Sequence, residues 1–375
     1  MVRLELAEPS EHLSSHEAAA RTLRRWLNQG ILKHDRTPSV YIHEHRFRVA
    51  GERRMRLGFF CAVRTERAGD LVLPHEDTLE RPKKDRSELL RACGVQMSPV
   101  WAIYKSGGAS PQDVLRKHTS RRPAMTARLE DESHRLWRVT DEEDREEILS
   151  LAERGWLVIA DGHHRYAASV AVAEERRLSH RDAPTDAAFN YALMLLVEVG
   201  DAGLAVLASH RLFKLTPQEV SRLESLAREN FVAQEFRSAC ELAAELAREG
   251  AGKASLGLCL KGKGLFLLRR PQAGWKQDVE AAQSLLVEPL MGPGEAERKL
   301  QYTKDLQEAA RKVERGEFQA SILLNPPPLE SILETSLAGE RMPRKSTYFY
   351  PKVPAGLVMF ASASPQQVET ATASA

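Results

Sequence analysis

The segment Trp156-Leu157-Val158-Ile159-Ala160-Asp161-Gly162-His163-His164-Arg165-Tyr166 gathers side chains of several chemistries at one point of the chain. An apolar run of strand length ends at Asp161, Gly162 frees the backbone for an unusual turn, and a helix pattern starts at once. The first N–H groups of a helix have no intrahelical partner, and the helix dipole there favours an anion. His163, His164 and Arg165 add donors at the same place, and the arginine fork matches phosphate oxygens. The chemistry expected is phosphate binding. Two other readings use the same residues. Asp161 as a plain N-cap explains one polar residue and leaves the other three without a role. A metal site on His163 and His164 would need a third ligand from elsewhere, because adjacent residues at a helix start diverge.

Two further segments carry candidate chemistry. Pro74-His75-Glu76-Asp77-Thr78 follows a short strand, Leu71 to Leu73, and a carboxylate just beyond a strand end suits a general base. Met342-Pro343-Arg344-Lys345-Ser346-Thr347-Tyr348-Phe349-Tyr350-Pro351-Lys352 packs two lysines and two hydroxyls among aromatics. An edge strand accounts for the aromatics but not for Lys345, Ser346, Thr347 and Lys352, so the segment is expected to reach a site. Gly51-Glu52-Arg53-Arg54 has the letters of a nucleotide-contacting motif in chromosome-partition proteins. Here it joins two alternating strands, and a hairpin turn explains it.

The elements that position these residues can be read from periodicity. Ser14 and Glu17 have capping-box spacing ahead of an apolar stripe that ends at Gly30. Strands 39–49 and 54–64 form the hairpin. A helix over 85–93, a strand over 100–104 and a polar loop with one helical turn over 105–127 come next. A strand at 136–139, an acidic-start helix at 141–154, the strand before Asp161, a helix over 165–177 and a strand at 191–199 complete the first block. A second block starts near Leu215, with helices over 216–230 and 239–249, a hairpin of 255–261 and 264–269, and a strand at 319–324. The tail, 362–375, is expected to be disordered.

Composition sets limits. The 375 residues are 42% hydrophobic and 28% charged with a formal net charge of +2. That is globular usage, and the length favours two lobes. The near-neutral balance gives no support for nucleic acid as a partner. No segment approaches the roughly 18 apolar residues of a membrane span, and the N-terminus lacks a secretory pattern, so a cytoplasmic protein without a membrane partner is expected. Cys61, Cys93, Cys240 and Cys259 show no CxxC spacing and read as reduced thiols. No resident metal site is expected from the sequence.

Ala160 to Tyr166 (ADGHHRY) and Met342 to Lys352 (MPRKSTYFYPK) resemble the two signatures of a widespread bacterial family, domain of unknown function 1015. The resemblance continues through Gly58-Phe59-Phe60, Pro74-His75-Glu76-Asp77-Thr78, Asp85-Arg86, Ser98-Pro99, His134 with Trp137, Asp201 with Gly203-Leu204, His210-Arg211, and Leu286 to Gly292. That family's turn is similar to one in the free serine kinases of archaea, which belong with the partition-protein and sulfiredoxin fold. The resemblance implies an α/β (α+β) protein: a mixed-sheet partition-protein/sulfiredoxin-like lobe over 1–213, then a smaller α+β lobe over 214–361.

The resemblance also implies chemistry: phosphoryl transfer from ATP or ADP, with Mg2+, to a small hydroxylated metabolite, free L-serine first. Glu76, Asp161 and His164 would then be catalytic, with Glu76 the base. Gly162, His163, His164, Arg165, Lys345, Ser346, Thr347 and Lys352 would hold the nucleotide, and His75, Thr78, His210 and Arg211 the substrate. A nucleotide-gated, non-catalytic switch is the alternative. Three departures stand against the family pattern. The usual opening strand and Pro-Pro-Tyr-Asp-Val-type segment have no counterpart before Arg3, Ala167 replaces an acidic residue, and Ala202 and Ser209 replace proline and threonine.

Overall fold

The computed structural model describes residues 1–9, 13–66, 70–108, 110–153, 155–271, 275, 277–292 and 294–362. The tail beyond 362, expected to be disordered, lies outside them. The chain is a mixed α/β protein that divides into two compact units. The first comprises Met1–Pro74, Thr78–Leu204 and Pro351–Ala375, and the second His75–Asp77 and Ala205–Tyr350. The division therefore falls after Leu204 and not after Phe213. The strands between these positions pair with the second unit's sheets and so belong to it.

The first unit is built on eight strands: β1 (Val40–Val49), β2 (Glu52–Arg64), β3 (Val72–Leu73), β5 (Val100–Tyr104), β6 (Met125–Leu129), β7 (Glu132–Val139), β8 (Leu157–Asp161) and β9 (Tyr191–Glu198), with β4 (Val95–Gln96) outside that sheet. Their order is β3-β8-β5-β9-β2-β1-β7-β6. The pairs β3–β8 and β5–β9 are parallel and the others antiparallel. β5 and β9 are buried along nearly their whole length, as expected of strands covered on both faces. The core joins Ile42, Phe59, Ala102, Tyr104, Ile159 and Met194. The β1–β2 hairpin turns through Ala50 and Gly51, both at positive φ, a geometry that matches strand twist.

Helices α1 (Val2–Glu5), α2 (Ser15–Asn28), α3 (Glu80–Cys93), α4 (Pro111–Thr119), α5 (Glu142–Glu153) and α6 (His163–Ser179) complete this unit. The expected capping box closes α2. α3 begins five residues before the expected Asp85. Pro82 falls in its first turn, where no N–H is needed, so it does not break the helix. The segment expected to be a loop contains α4 and β6. Ser110 caps α4, with Pro111 at its first position, so serine and proline there start a helix and do not interrupt one. α6 starts at His163, two residues earlier than expected.

In the second unit a six-stranded antiparallel sheet runs β12-β14-β13-β16-β11-β15. These are β11 (His210–Phe213), β12 (Val232–Phe236), β13 (Ser255–Leu260), β14 (Gly264–Arg269), β15 (Leu300–Thr303) and β16 (Ala320–Leu323), and a separate pair joins β10 (Val206–Leu207) to β17 (Tyr348–Phe349). Helices α7 (Pro217–Asn230) and α8 (Ala239–Glu249) start where expected, α7 behind a Thr216–Glu219 capping box. Leu242, Leu246, Leu267, Val313 and Leu323 form the core. Of the terminal aromatic segment only Tyr348–Phe349 is strand, because Pro343 and Pro351 bracket it. Among the described residues no helix is long and apolar enough to cross a membrane.

Candidate functional site

β8 delivers Asp161 to the sheet edge. Its pairing with β5 shifts register between Trp101 and Ala102, so Trp101 faces Asp161 across the strands. Gly162 then takes φ 94° and ψ 27°, and it offers α6 no side-chain cap. That left-handed conformation is open to glycine at little cost. A Cβ on Gly162 would also lie 2.8 Å from Nε and Nη2 of Arg165, so the guanidinium folds back over the turn. Arg165 Nη2 donates to Asp161 Oδ2 at 2.7 Å, and Lys352 Nζ donates to Asp161 Oδ1. Burial raises the Asp161 pKa, but Lys352 and Arg165 outweigh it, and the carboxyl is held below its ordinary value. Two cations thus converge on one carboxylate at the uncapped start of a helix.

His164 faces α3. Its Nε2 accepts the Leu79 N–H at 2.9 Å, at the N-cap of that helix, which puts the ring proton on Nδ1. Thr78, expected at the substrate, precedes this cap and is half-buried. Arg86 and Arg165 line a cleft beside α6 together with Gln96, Ser98 and Ser169.

The second unit gathers the other expected residues around Glu76. Its Oε2 accepts the Lys345 N–H at 3.2 Å. Its Oε1 accepts the N–H groups of Ser346 at 3.0 Å and Thr347 at 3.3 Å, and the Thr347 hydroxyl at 3.3 Å. The carboxylate therefore clasps the Lys345-Ser346-Thr347 turn, in which Lys345 holds φ 57°. His75 is fully buried, its Nε2 lies 2.8 Å from Thr347 Oγ1, and its carbonyl accepts the Met342 N–H. Lys304 Nζ sits 3.9 Å from the centre of the Tyr350 ring, a cation–π contact.

His210 and Arg211 begin β11. His210 Nδ1 accepts the Leu324 N–H at 3.1 Å, and burial pushes its pKa down to about 4. Arg211 is fully buried. Its Nη1 donates to the Ser209 carbonyl, and its Nε and Nη2 have no hydrogen-bond partner among the described residues. Burial lowers its pKa, while Tyr302 and Glu76 pull it back up. The expected site residues thus fall into two sets. Asp161, Gly162, His163, His164, Arg165, Thr78 and Lys352 belong to the first unit; His75, Glu76, His210, Arg211, Lys345, Ser346 and Thr347 belong to the second.

A polar layer that sequence reasoning missed lies under the first unit's sheet. Arg56, His45 and His134 stand directly opposite one another on β2, β1 and β7. Arg56 Nη2 donates to His45 Nδ1 at 3.0 Å and to the Pro351 carbonyl at 3.2 Å, and its guanidinium lies 3.8 Å from the Trp101 ring centre. His45 Nε2 meets Glu132 Oε2 at 2.8 Å, and His43 Nε2 meets His134 Nδ1 at 3.1 Å. Burial depresses all three histidines, His45 to about 2, and pushes Arg56 down to about 9. The available signal was His43-x-His45 in a strand, since residues two apart share a face.

A family model described as "Protein of unknown function (DUF1015)" matches residues 1–290. No curated protein matches the chain. Among solved structures, a conserved hypothetical protein from Pyrococcus furiosus is 19% identical at TM-score 0.42, covering 80% of this chain and 93% of that one. A free serine kinase in complex with AMP is 17% identical at TM-score 0.43, covering 80% and 92%. SbnI with a C-terminal truncation, from Staphylococcus aureus, is 10% identical at TM-score 0.44, covering 84% and 94%.

Proposed function

The chain belongs to the DUF1015 family, and from that footing we propose that its first unit binds a nucleoside di- or triphosphate through the phosphates at the Asp161–Arg165 turn. One observation carries this reading: Arg165 and Lys352 both engage Asp161 at a helix start that Gly162 leaves uncapped. An anionic ligand offers the same two cations new partners and adds the helix N-terminus. Asp161 fits the role of magnesium ligand, because that ion is commonly bound by one or two carboxylates plus substrate phosphates. Magnesium bound with the nucleotide supplies charge neutralisation at the phosphates. Arg165 and Lys352 orient the phosphate chain, and His164 holds the α3 cap beside the turn.

The finer part of the proposal is phosphoryl transfer to a small hydroxylated metabolite, free L-serine first, with Glu76 as the base. In this chemistry the protein supplies chiefly positioning and charge stabilisation. The Thr347 hydroxyl donates to Glu76 at 3.3 Å, so the carboxylate can accept from a hydroxyl, and a base would have to bring the substrate hydroxyl closer than that. A specific observation favours a second reading, a nucleotide-gated protein without turnover. Among the described residues, the four hydrogen bonds accepted by Glu76 come from the terminal turn, and a base must exchange one of them for substrate. Incubation with ATP or with ADP, magnesium and L-serine, followed by mass spectrometry, separates the two. Phosphoserine with an equal amount of the nucleotide shortened by one phosphate supports transfer; binding of both nucleotides without product from serine or other small alcohols supports the switch.

A further inference from the structure

We propose that His45, His134 and Glu132 form a binding site for a divalent transition-metal ion of the zinc class, independent of the nucleotide reading. The three residues come from adjacent strands, His45 on β1 opposite His134 on β7, with Glu132 two residues before His134 on the same face. One ligand atom from each lies within 4.8 Å of the others. The Nε2 atoms of His45 and His134 are 2.8 and 3.8 Å from Glu132 Oε2. An ion held at about 2.0–2.2 Å from imidazole nitrogen and carboxylate oxygen needs ligand atoms spaced between these two values. Small side-chain rotations suffice.

The second observation is His134 itself. It is fully buried, and its Nε2 has no hydrogen-bond partner among the described residues. An unsatisfied buried nitrogen is costly unless something fills the space it faces. His43 Nε2 lies 3.1 Å from His134 Nδ1. A proton on Nδ1 shared with His43 leaves the Nε2 lone pair directed toward Glu132. This outer hydrogen bond is the kind that orients a metal-binding histidine. Glu132 is 24% exposed and gives the ion a way in.

His45 carries the cost. Arg56 donates to its Nδ1, so its proton sits on Nε2 and points at Glu132. Metal binding through Nε2 requires that proton to move to Nδ1, which keeps the ring neutral. Arg56 Nη2 then loses His45 Nδ1 as an acceptor and turns to the Pro351 carbonyl, 3.2 Å away. Two imidazoles and one carboxylate favour zinc, cobalt or nickel over magnesium or calcium, which prefer all-oxygen shells.

The test uses the full chain stripped with a chelator and titrated with Co2+ alone. The proposal expects one saturable Co2+ per chain, a visible ligand-field band, and mole-for-mole displacement by Zn2+. His134→Ala and Glu132→Gln should abolish the band, and His43→Phe should weaken binding by about 10–100-fold through loss of the orienting bond. Glu132 is partly exposed, so its variant guards against a histidine variant that fails to fold, with circular dichroism as the check. His118→Ala, in a second His–Asp–Glu grouping with Asp144 and Glu147, should leave the band unchanged. No saturable binding in the parent, binding unaffected by Glu132→Gln, or binding lost with His118→Ala overturns the proposal.

Discussion

Replacing Glu76 with glutamine perturbs a clasp that has four donors among the described residues. The carboxylate accepts from Lys345 through Oε2 and from Ser346, Thr347 and the Thr347 hydroxyl through Oε1. The better orientation of the amide keeps its oxygen on the three donors at Oε1 and turns its NH2 toward the Lys345 N–H, where two donors oppose each other. One hydrogen bond to a charged group is lost, a cost of about 1.5–3 kcal/mol, and the remaining bonds become neutral. The Glu76 side chain is only 14% exposed, so water does not make up the difference. At 1.4 kcal/mol per decade, the turn should open about 10- to 150-fold more often.

Trypsin reads this opening, because Arg344 and Lys345 lie in the turn. Cleavage of a transiently opened segment tracks its open population when reclosing is fast. Glu76→Gln should therefore be cut after Arg344 or Lys345 about 10- to 150-fold faster than the parent. Lys345→Gly on that background should slow the cut after Arg344, the trypsin site that remains in the turn, since left-handed backbone costs a non-glycine residue about 1–2 kcal/mol and Lys345 sits at φ 57°. Equal cutting of parent and Glu76→Gln would refute the clasp. It would leave the carboxylate free for the base role.

Two more outcomes follow from buried polar groups. His210 has a folded pKa of about 4 against a reference value of 6.5, so the unfolded state takes up its proton first and stability falls as pH drops from about 6.5 toward 4. At pH 5 the loss is about 2 kcal/mol relative to pH 7. Urea unfolding of His210→Asn, whose amide oxygen can still accept from Leu324, should show a flatter pH dependence; parallel curves would exclude a buried neutral His210. A Cβ at Gly203 would lie 2.4 Å from the Met55 carbonyl oxygen and 2.6 Å from the Arg56 nitrogen. Gly203→Ala should then cost about 1–3 kcal/mol by urea unfolding, and unchanged stability would mean that β2 yields there.

The local signals were legible because they depend on near neighbours. Ser14 with Glu17, Thr216 with Pro217, and Gly162 between a strand and a helix each state their geometry within a few residues. Pro82 and Pro111 lie in the first turns of α3 and α4, and proline breaks a helix only past its first turn. The clasp on Glu76 joins residues about 270 positions apart, and no local pattern announces that a loop carboxylate will accept three backbone N–H groups. The unit boundary was missed for a related reason: the strand pairing that assigns 205–213 to the second unit is non-local. The histidine layer needed the register of β1 against β7 before His43, His45 and His134 could be seen as neighbours.

The central claim is that the Asp161–Arg165 turn binds nucleotide through phosphate. Calorimetric titration of ADP with magnesium and of adenosine, into the parent and Arg165→Ala, tests it most directly. The account predicts saturable ADP binding by the parent, much weaker binding of adenosine, and a loss of about 1.5–3 kcal/mol of ADP affinity in Arg165→Ala, with adenosine unaffected by the substitution. Absence of ADP binding by the parent, or equal ADP affinity in a folded Arg165→Ala, would contradict it.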